Sequence, residues 1–262
     1  MMRALWSAST GMKGQELNIA VVSNNLSNVT TTGFKKSRVD FQDLMYQTIT
    51  EPGAPISADA SYPVGIQVGH GVKPVATQRM FTQGEFQQTD QALDVVIEGD
   101  GFFQIQLPNG DTAYTRDGAW KLSGDGTIVT SDGYTVLPEV QVPAEAIGLN
   151  ITSDGIIAVK MSEDADLEVL GQIELADFVN PAGLKSIGNN LYQQSGSSGE
   201  AVVGIPNTEG FGSIAQGFTE MANVKVVEEM VNMIVAQRAY EVNSKAIQTS
   251  DSMLGTAIGL KR

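Results

Sequence analysis

With 262 residues and 42% hydrophobic content, the chain can build two compact units, or one unit with appendages. It has no cysteine, which excludes a disulfide framework and thiolate chemistry. Its net charge of −14 is concentrated in residues 45–218, where six Lys/Arg face 22 Asp/Glu, while residues 1–44 are net +2 and residues 219–262 net 0. Such an acidic centre disfavours nucleic acid and anionic membrane as partners.

Met1 to Lys13 is too short and too polar to span a membrane and lacks a secretory apolar region. Leu5, Ala8, Met12, Gln15, Ile19, Val22, Leu26 and Val29 recur at alternating spacings of three and four. That is the heptad period of a helix packing on another helix. Gly11 and Gly14 each cost such a helix about 1 kcal/mol relative to Ala, and they let a second backbone approach closely. Thr30, Thr31, Thr32 and Gly33 end it. Phe34 to Leu44 is a polar extension. Met45 to Val72 holds Pro52, Pro55 and Pro63 with four Gly and no periodicity, which predicts an extended connector with one short hairpin.

From Val72 the period becomes two. Lys73–Phe81, Ala92–Ile97 and Phe102–Leu107 read as strands, with Gly99-Asp100-Gly101 as a turn. Asn109-Gly110, Asp117-Gly118, Asp125-Gly126 and Asp132-Gly133 are hairpin signals between short strands at Ala113–Arg116, Ala119–Leu122, Thr127–Thr130 and Tyr134–Leu137. Ile151, Ile156–Met161, Leu167–Leu170 and Gln172–Phe178 continue the meander, and Pro206–Gly217 reads as a return connector. A long helix is then predicted from Asn223, a good cap residue, to Ile258. Its seam is Asn223, Val226, Met230, Met233, Gln237, Tyr240, Ser244, Ile247, Asp251, Leu254 and Ile258, again at spacings of three and four. A second apolar line (Val224, Val227, Val231, Ile234) runs beside it, so this helix needs neighbours on more than one side.

The expected fold is α+β, with N- and C-terminal helices pairing as a coiled-coil domain and a mainly antiparallel β domain inserted between them. The expected parts are residues 1–33, a connector at 34–72, a β-rich domain at 73–217 and a C-terminal helix at 218–262. One seam offers too few bulky residues to offset the backbone entropy of ordering the first helix. Both ends are therefore expected to be loosely ordered alone and helical in an assembly.

Candidate chemistry is sparse. The Asp-Gly pairs lack the calcium-loop spacing and its distal Glu, and hairpin turns explain them. His70 is the only histidine, which excludes a conventional zinc site or Ser-His pair. No phosphate-binding glycine loop occurs. No enzyme activity, metal or cofactor is expected. Gln15, Gln237, Ser244 and Asp251 are polar seam positions that either fix helix register or face water or a third helix. Glu241 and Lys245 form an i,i+4 pair in the favourable order.

The string SNNLSNVTTTGFK, Ser23 to Lys35, resembles the N-terminal signature of the flagellar basal-body rod and hook protein family. VVEEMVNMIVAQRAYEVNSKAIQTSD, Val226 to Asp251, is similar to that family's terminal helix. Tyr114 to Pro138, Phe178 to Tyr192 and Asp43 to Ala54 are similar to its distal rod members, and the resemblance runs from Leu5 to about Leu254. It implies an axial structural protein of the bacterial flagellum, exported unfolded by the flagellar type III apparatus without a cleaved signal. The terminal helices would line a helical tube, a homo-oligomer, with the β domain outside. The implied partners are proximal rod proteins, the hook protein and surrounding bushing rings where present, with no membrane insertion. The residues expected to carry self-association are Leu5, Met12, Ile19, Val22, Asn24, Asn25, Leu26, Asn28, Val226, Met230, Met233, Gln237, Tyr240, Ile247 and Leu254. The competing expectations are a proximal rod or hook-type axial subunit, a secreted β-domain binding module whose helices make a small closed oligomer, and an enzyme acting on cell wall.

Overall fold

The structure is a computed structural model that describes residues 2–53, 55–57, 60–61, 63–161, 167–208 and 210–259. Met1 and the connector residues 54, 58, 59 and 62 lie outside the described residues. Two helices bracket a set of short, antiparallel strands, giving an α+β fold with the β structure inserted between the termini. Contacts divide the chain into one unit of residues 1–27, 37–78 and 225–262 and another of 28–36 and 79–224.

In the helical unit, α1 spans Met2–Ser27 and α2 spans Val226–Gly259. Glu228 and Glu229 in the first turn of α2 complement the positive end of the helix dipole. The predicted cap, Asn223, lies two residues before the actual cap position, Lys225, whose carbonyl accepts from Glu229 N at 3.0 Å. The side-chain amide of Asn223 is already spent: Oδ1 accepts from Lys36 N at 2.7 Å, and Nδ2 donates to Met80 O at 2.8 Å. At the end of α1, Val29 leaves the predicted heptad and packs with Phe34, Ala222 and Val224 instead.

The stretch read as a connector is more ordered than expected. Ser37–Asp43 pairs with Val72–Arg79. Tyr46–Thr50 pairs antiparallel with Ile66–Gly69, Tyr46 opposite Gly69 and Gln47 opposite Val68. Pro55–Ser57 pairs with Ala60–Ser61. The proline and glycine content hid this ladder, because Pro52 and Pro63 flank its strands and do not interrupt them.

The β unit is built on Phe102–Gln106, a strand of the nine-stranded sheet among the described residues. It pairs with Thr112–Thr115 on one side, and with Thr135–Leu137 and then Leu175–Asp177 on the other. Buried on both faces, it serves two cores. Phe103 and Ile105 join Val95, Ile97, Trp120, Ile157 and Leu175, while Phe102 joins Tyr114, Phe178 and Tyr192. The aromatic rings meet edge to face at 4.8–6.2 Å, the geometry their quadrupoles favour.

Three predicted turns form where Gly110, Gly126 and Gly133 take positive φ angles of 86°, 80° and 84°. Asp117-Gly118 does not make a hairpin. Gly118 sits against the Val95 carbonyl, where a Cβ has no room, and Asp117 Oδ1 accepts from Ala119 N at 3.1 Å. The predicted return connector instead holds a strand, Ser213–Gln216, which pairs with Val95–Glu98, and just beyond it Phe218–Glu220 pairs with Phe86–Gln88.

Candidate functional site

The feature of this fold with the greatest unsatisfied apolar surface is α2. Its contact with α1 is fixed by two points. Asn25 Nδ2 donates to Glu229 Oε2 at 3.3 Å. A Cβ added to Gly11 would lie 2.9 Å from Asn243 Nδ2. Asn25 and Gly11 are 14 residues apart, as are Glu229 and Asn243, so the helices run antiparallel. Continuing that phase on α2 gives Glu229, Ala236, Asn243 and Ser250, one residue per heptad; Glu229, Ala236 and Ser250 are the buried residues of the helix. Met233, Ile247 and Leu254 flank this line and are half-buried.

The seam facing α1 is thus small and polar, and offset from the apolar seam the sequence suggests. Of that predicted seam, Val226, Met230 and Tyr240 are 40%, 51% and 42% exposed, and Gln237 and Asp251 are also exposed. The second apolar line is more open still, with Val227 75%, Val231 53%, Ile234 55% and Val235 61% exposed. Glu229, Ala236, Asn243 and Ser250 escaped the sequence reading because a search for apolar periodicity passes over them. Their seven-residue recurrence was the available signal.

On α1, Ala8, Gly14, Val22 and Asn25 are buried; Leu5, Met12, Ile19 and Leu26 are half-buried, as is Asn28 just beyond it, and Asn24 is exposed. A second face of α1 meets the sheet of its own unit. Gly14 faces Phe41 and Val72, and Thr10 Oγ1 accepts from Val72 N at 3.4 Å. Asn25, among the signature residues, is held from several directions. Its Oδ1 accepts from Ser37 N at 2.9 Å, its Nδ2 donates to Ser37 O at 2.9 Å, and it reaches Glu229 as well. One asparagine, offering an acceptor and two donors, ties the end of α1 to the first strand and to α2.

Electrostatics contribute little along α2. Glu241 pairs with Arg238 at 3.0 Å rather than with Lys245, and Lys225 pairs with Glu228 at 3.3 Å, all on exposed side chains. His70 Nδ1 lies 2.9 Å from Met45 O. Among the described residues, no helix is long and apolar enough to cross a membrane.

Residues 5–35 match the family described as flagella basal body rod protein, and residues 215–260 the flagellar basal body rod FlgEFG protein C-terminal family. Residues 96–159 match the flagellar hook protein FlgE/F/G D1 domain. The chain is 54% identical over 264 residues to the flagellar basal-body rod protein FlgG of Borreliella burgdorferi, covering 100% of both chains. It is 45% identical to that of Caulobacter vibrioides over 97% of each, and 40% identical to that of Bacillus subtilis over 100% of each. These full-length identities, on a chain whose two terminal matches fall on the two helices, mean that the chain belongs to the flagellar basal-body rod protein family.

Proposed function

We propose that this chain is a structural subunit of the distal rod of the bacterial flagellum. It polymerises through its terminal helices into a helical tube that transmits torque from motor to hook and lines the export channel. One observation carries the reading. The face of α2 bearing Val227, Val231, Ile234 and Val235 remains open after α1 has packed on the helix. Burying each such side chain contributes about 1.5–3 kcal/mol, so a row of them drives association with another copy. In this reading the open face meets a different patch of the next copy, and such a heterologous contact propagates into an open-ended polymer when its rotation does not close into a ring.

In this reading the chain has no catalytic role. It is exported through the flagellar type III apparatus and joins proximal rod subunits below and hook subunits above, within bushing rings where the cell has them. The self-association residues named from the sequence divide accordingly. Val226, Met230 and Tyr240 serve contacts between copies, while Val22, Asn25 and Met233 serve the packing of α1 on α2. Removal of residues 1–29, or of 226–259, abolishes polymer formation, measured by sedimentation and electron microscopy of the purified chain. Straight tubes formed without residues 1–29 would overturn the proposal.

A further inference from the structure

The β unit contains a buried ionic cluster that the assembly face does not use. Lys35 and Glu220 have side chains 0% and 1% exposed, with Nζ and Oε1 2.6 Å apart. Arg116, 3% exposed, places Nη1 3.9 Å from Glu220 Oε2 and donates from Nη2 to Gly99 O at 2.8 Å. Ions buried this deeply contribute little net stability, because desolvation offsets their attraction, but removing one partner is severe. Their place in the chain suggests what they do instead.

The chain passes between its two units four times, at residues 27–28, 36–37, 78–79 and 224–225. Every crossing therefore leaves the β unit from one of three segments: 28–36, 79–85 or 217–224. These segments are bonded to one another. Lys35 Nζ also donates to Thr82 O at 2.8 Å, and Gly84 N donates to Glu220 Oε1 at 2.8 Å. Gly33 N donates to Glu220 O, and Met80 N to Lys36 O. Asn223 joins Lys36, Met80 and Thr82. Glu220, like Asn223, touches all three segments: its own, Lys35 and Gly33 of the first, and Gly84 of the second; of the two, Glu220 is the charged one and lies in the buried ion cluster.

We propose that Glu220 is the positioning residue of a clasp that holds these three root segments as one body, so that load entering the β unit in the polymer is shared among its four crossings. The mechanical part rests on the rod reading above; the clasp itself does not. Charge arithmetic distinguishes positioning from general stabilisation. Lys35, Arg116 and Glu220 together carry +1. Glu220→Gln raises this to +2, whereas Lys35→Met with Glu220→Gln restores +1 while removing the bonds to Thr82 and across the pair.

The test uses the full chain, with hydrogen exchange followed by mass spectrometry and polymers imaged by electron microscopy. In Glu220→Gln, amides of 28–36 and 79–85 exchange at least tenfold faster, while those of the central strand Phe102–Gln106 are unchanged. The double variant unfolds within a few degrees of the unaltered chain, keeps the fast exchange at the roots, and forms bent or irregular tubes. Equal acceleration in the central strand would make the cluster an ordinary stabiliser and overturn the proposal. Wild-type root protection and straight tubes in the double variant would also overturn it. If the unaltered chain forms no tubes, the rod reading fails, and the exchange comparison still decides the clasp.

Discussion

Asn25 shows how much a single side chain organises. It is 2% exposed and holds both backbone groups of Ser37 as well as the Glu229 carboxylate. Truncation removes one partner from each of the partly buried Ser37 N–H and C=O groups and one from the buried Glu229 carboxylate. Asn25→Ala should therefore cost about 2–3 kcal/mol, seen as earlier loss of helical circular dichroism on heating. An unchanged melting curve would show that Ser37 and Glu229 find other partners. Asp117 is a different case. Burial, the largest cause, lifts its carboxyl above the ordinary aspartate pKa; nearby Asp94 adds to this, and hydrogen bonds from Ala119 N, Thr32 and Asn190 oppose it. A raised carboxyl pKa means the native state holds its proton longer. Its contribution is therefore full below the ordinary value and is lost as pH rises through the native one. Asp117→Asn keeps an acceptor for Thr32, so the variant should match the parent below the ordinary aspartate pKa and exceed it at neutral pH by about 2–4 °C in melting temperature. A variant less stable at neutral pH would contradict this assignment.

At the scale of elements, α2 has one polar face turned to α1 and one apolar face left open. Ile234→Lys places a charge in the open face without touching the α1 contact. It should leave the folded β unit intact and raise the concentration needed for polymerisation more than tenfold, as sedimentation would measure; burying an unpaired ammonium costs at least that much. The sequence made both helices legible through their period of three and four, because apolar side chains repeat whatever they pack against. It misled on phase. Glu229, Ala236, Asn243 and Ser250 carry too little apolar area to register, yet they are what lets the two backbones approach. The strands were legible where a glycine with positive φ marked a turn, as at Gly110, Gly126 and Gly133. They were missed at Leu191–Gln193 and Val202–Gly204, each three residues long and too short to display alternation.

For the whole molecule, the uneven charge becomes important on assembly. Residues 45–218, net −16, belong largely to the β unit, and the segments rich in helix are near neutral. Polymerisation through the helices brings many acidic β units close together, and their mutual repulsion is screened by salt. The critical concentration for polymerisation should therefore fall as ionic strength rises from about 0.01 M to 0.15 M, over which the screening length shortens from about 30 Å to about 8 Å. A rise would mean that attraction between opposite charges, not apolar burial, holds the subunits together.

The most direct test is a helical reconstruction of the polymer at side-chain resolution. The account predicts that Val227, Val231, Ile234 and Val235 of one subunit are buried against a helix of another copy, with Glu229, Ala236 and Asn243 still facing α1 of their own chain. A polymer joined through its β units, with those four side chains in water, would contradict it.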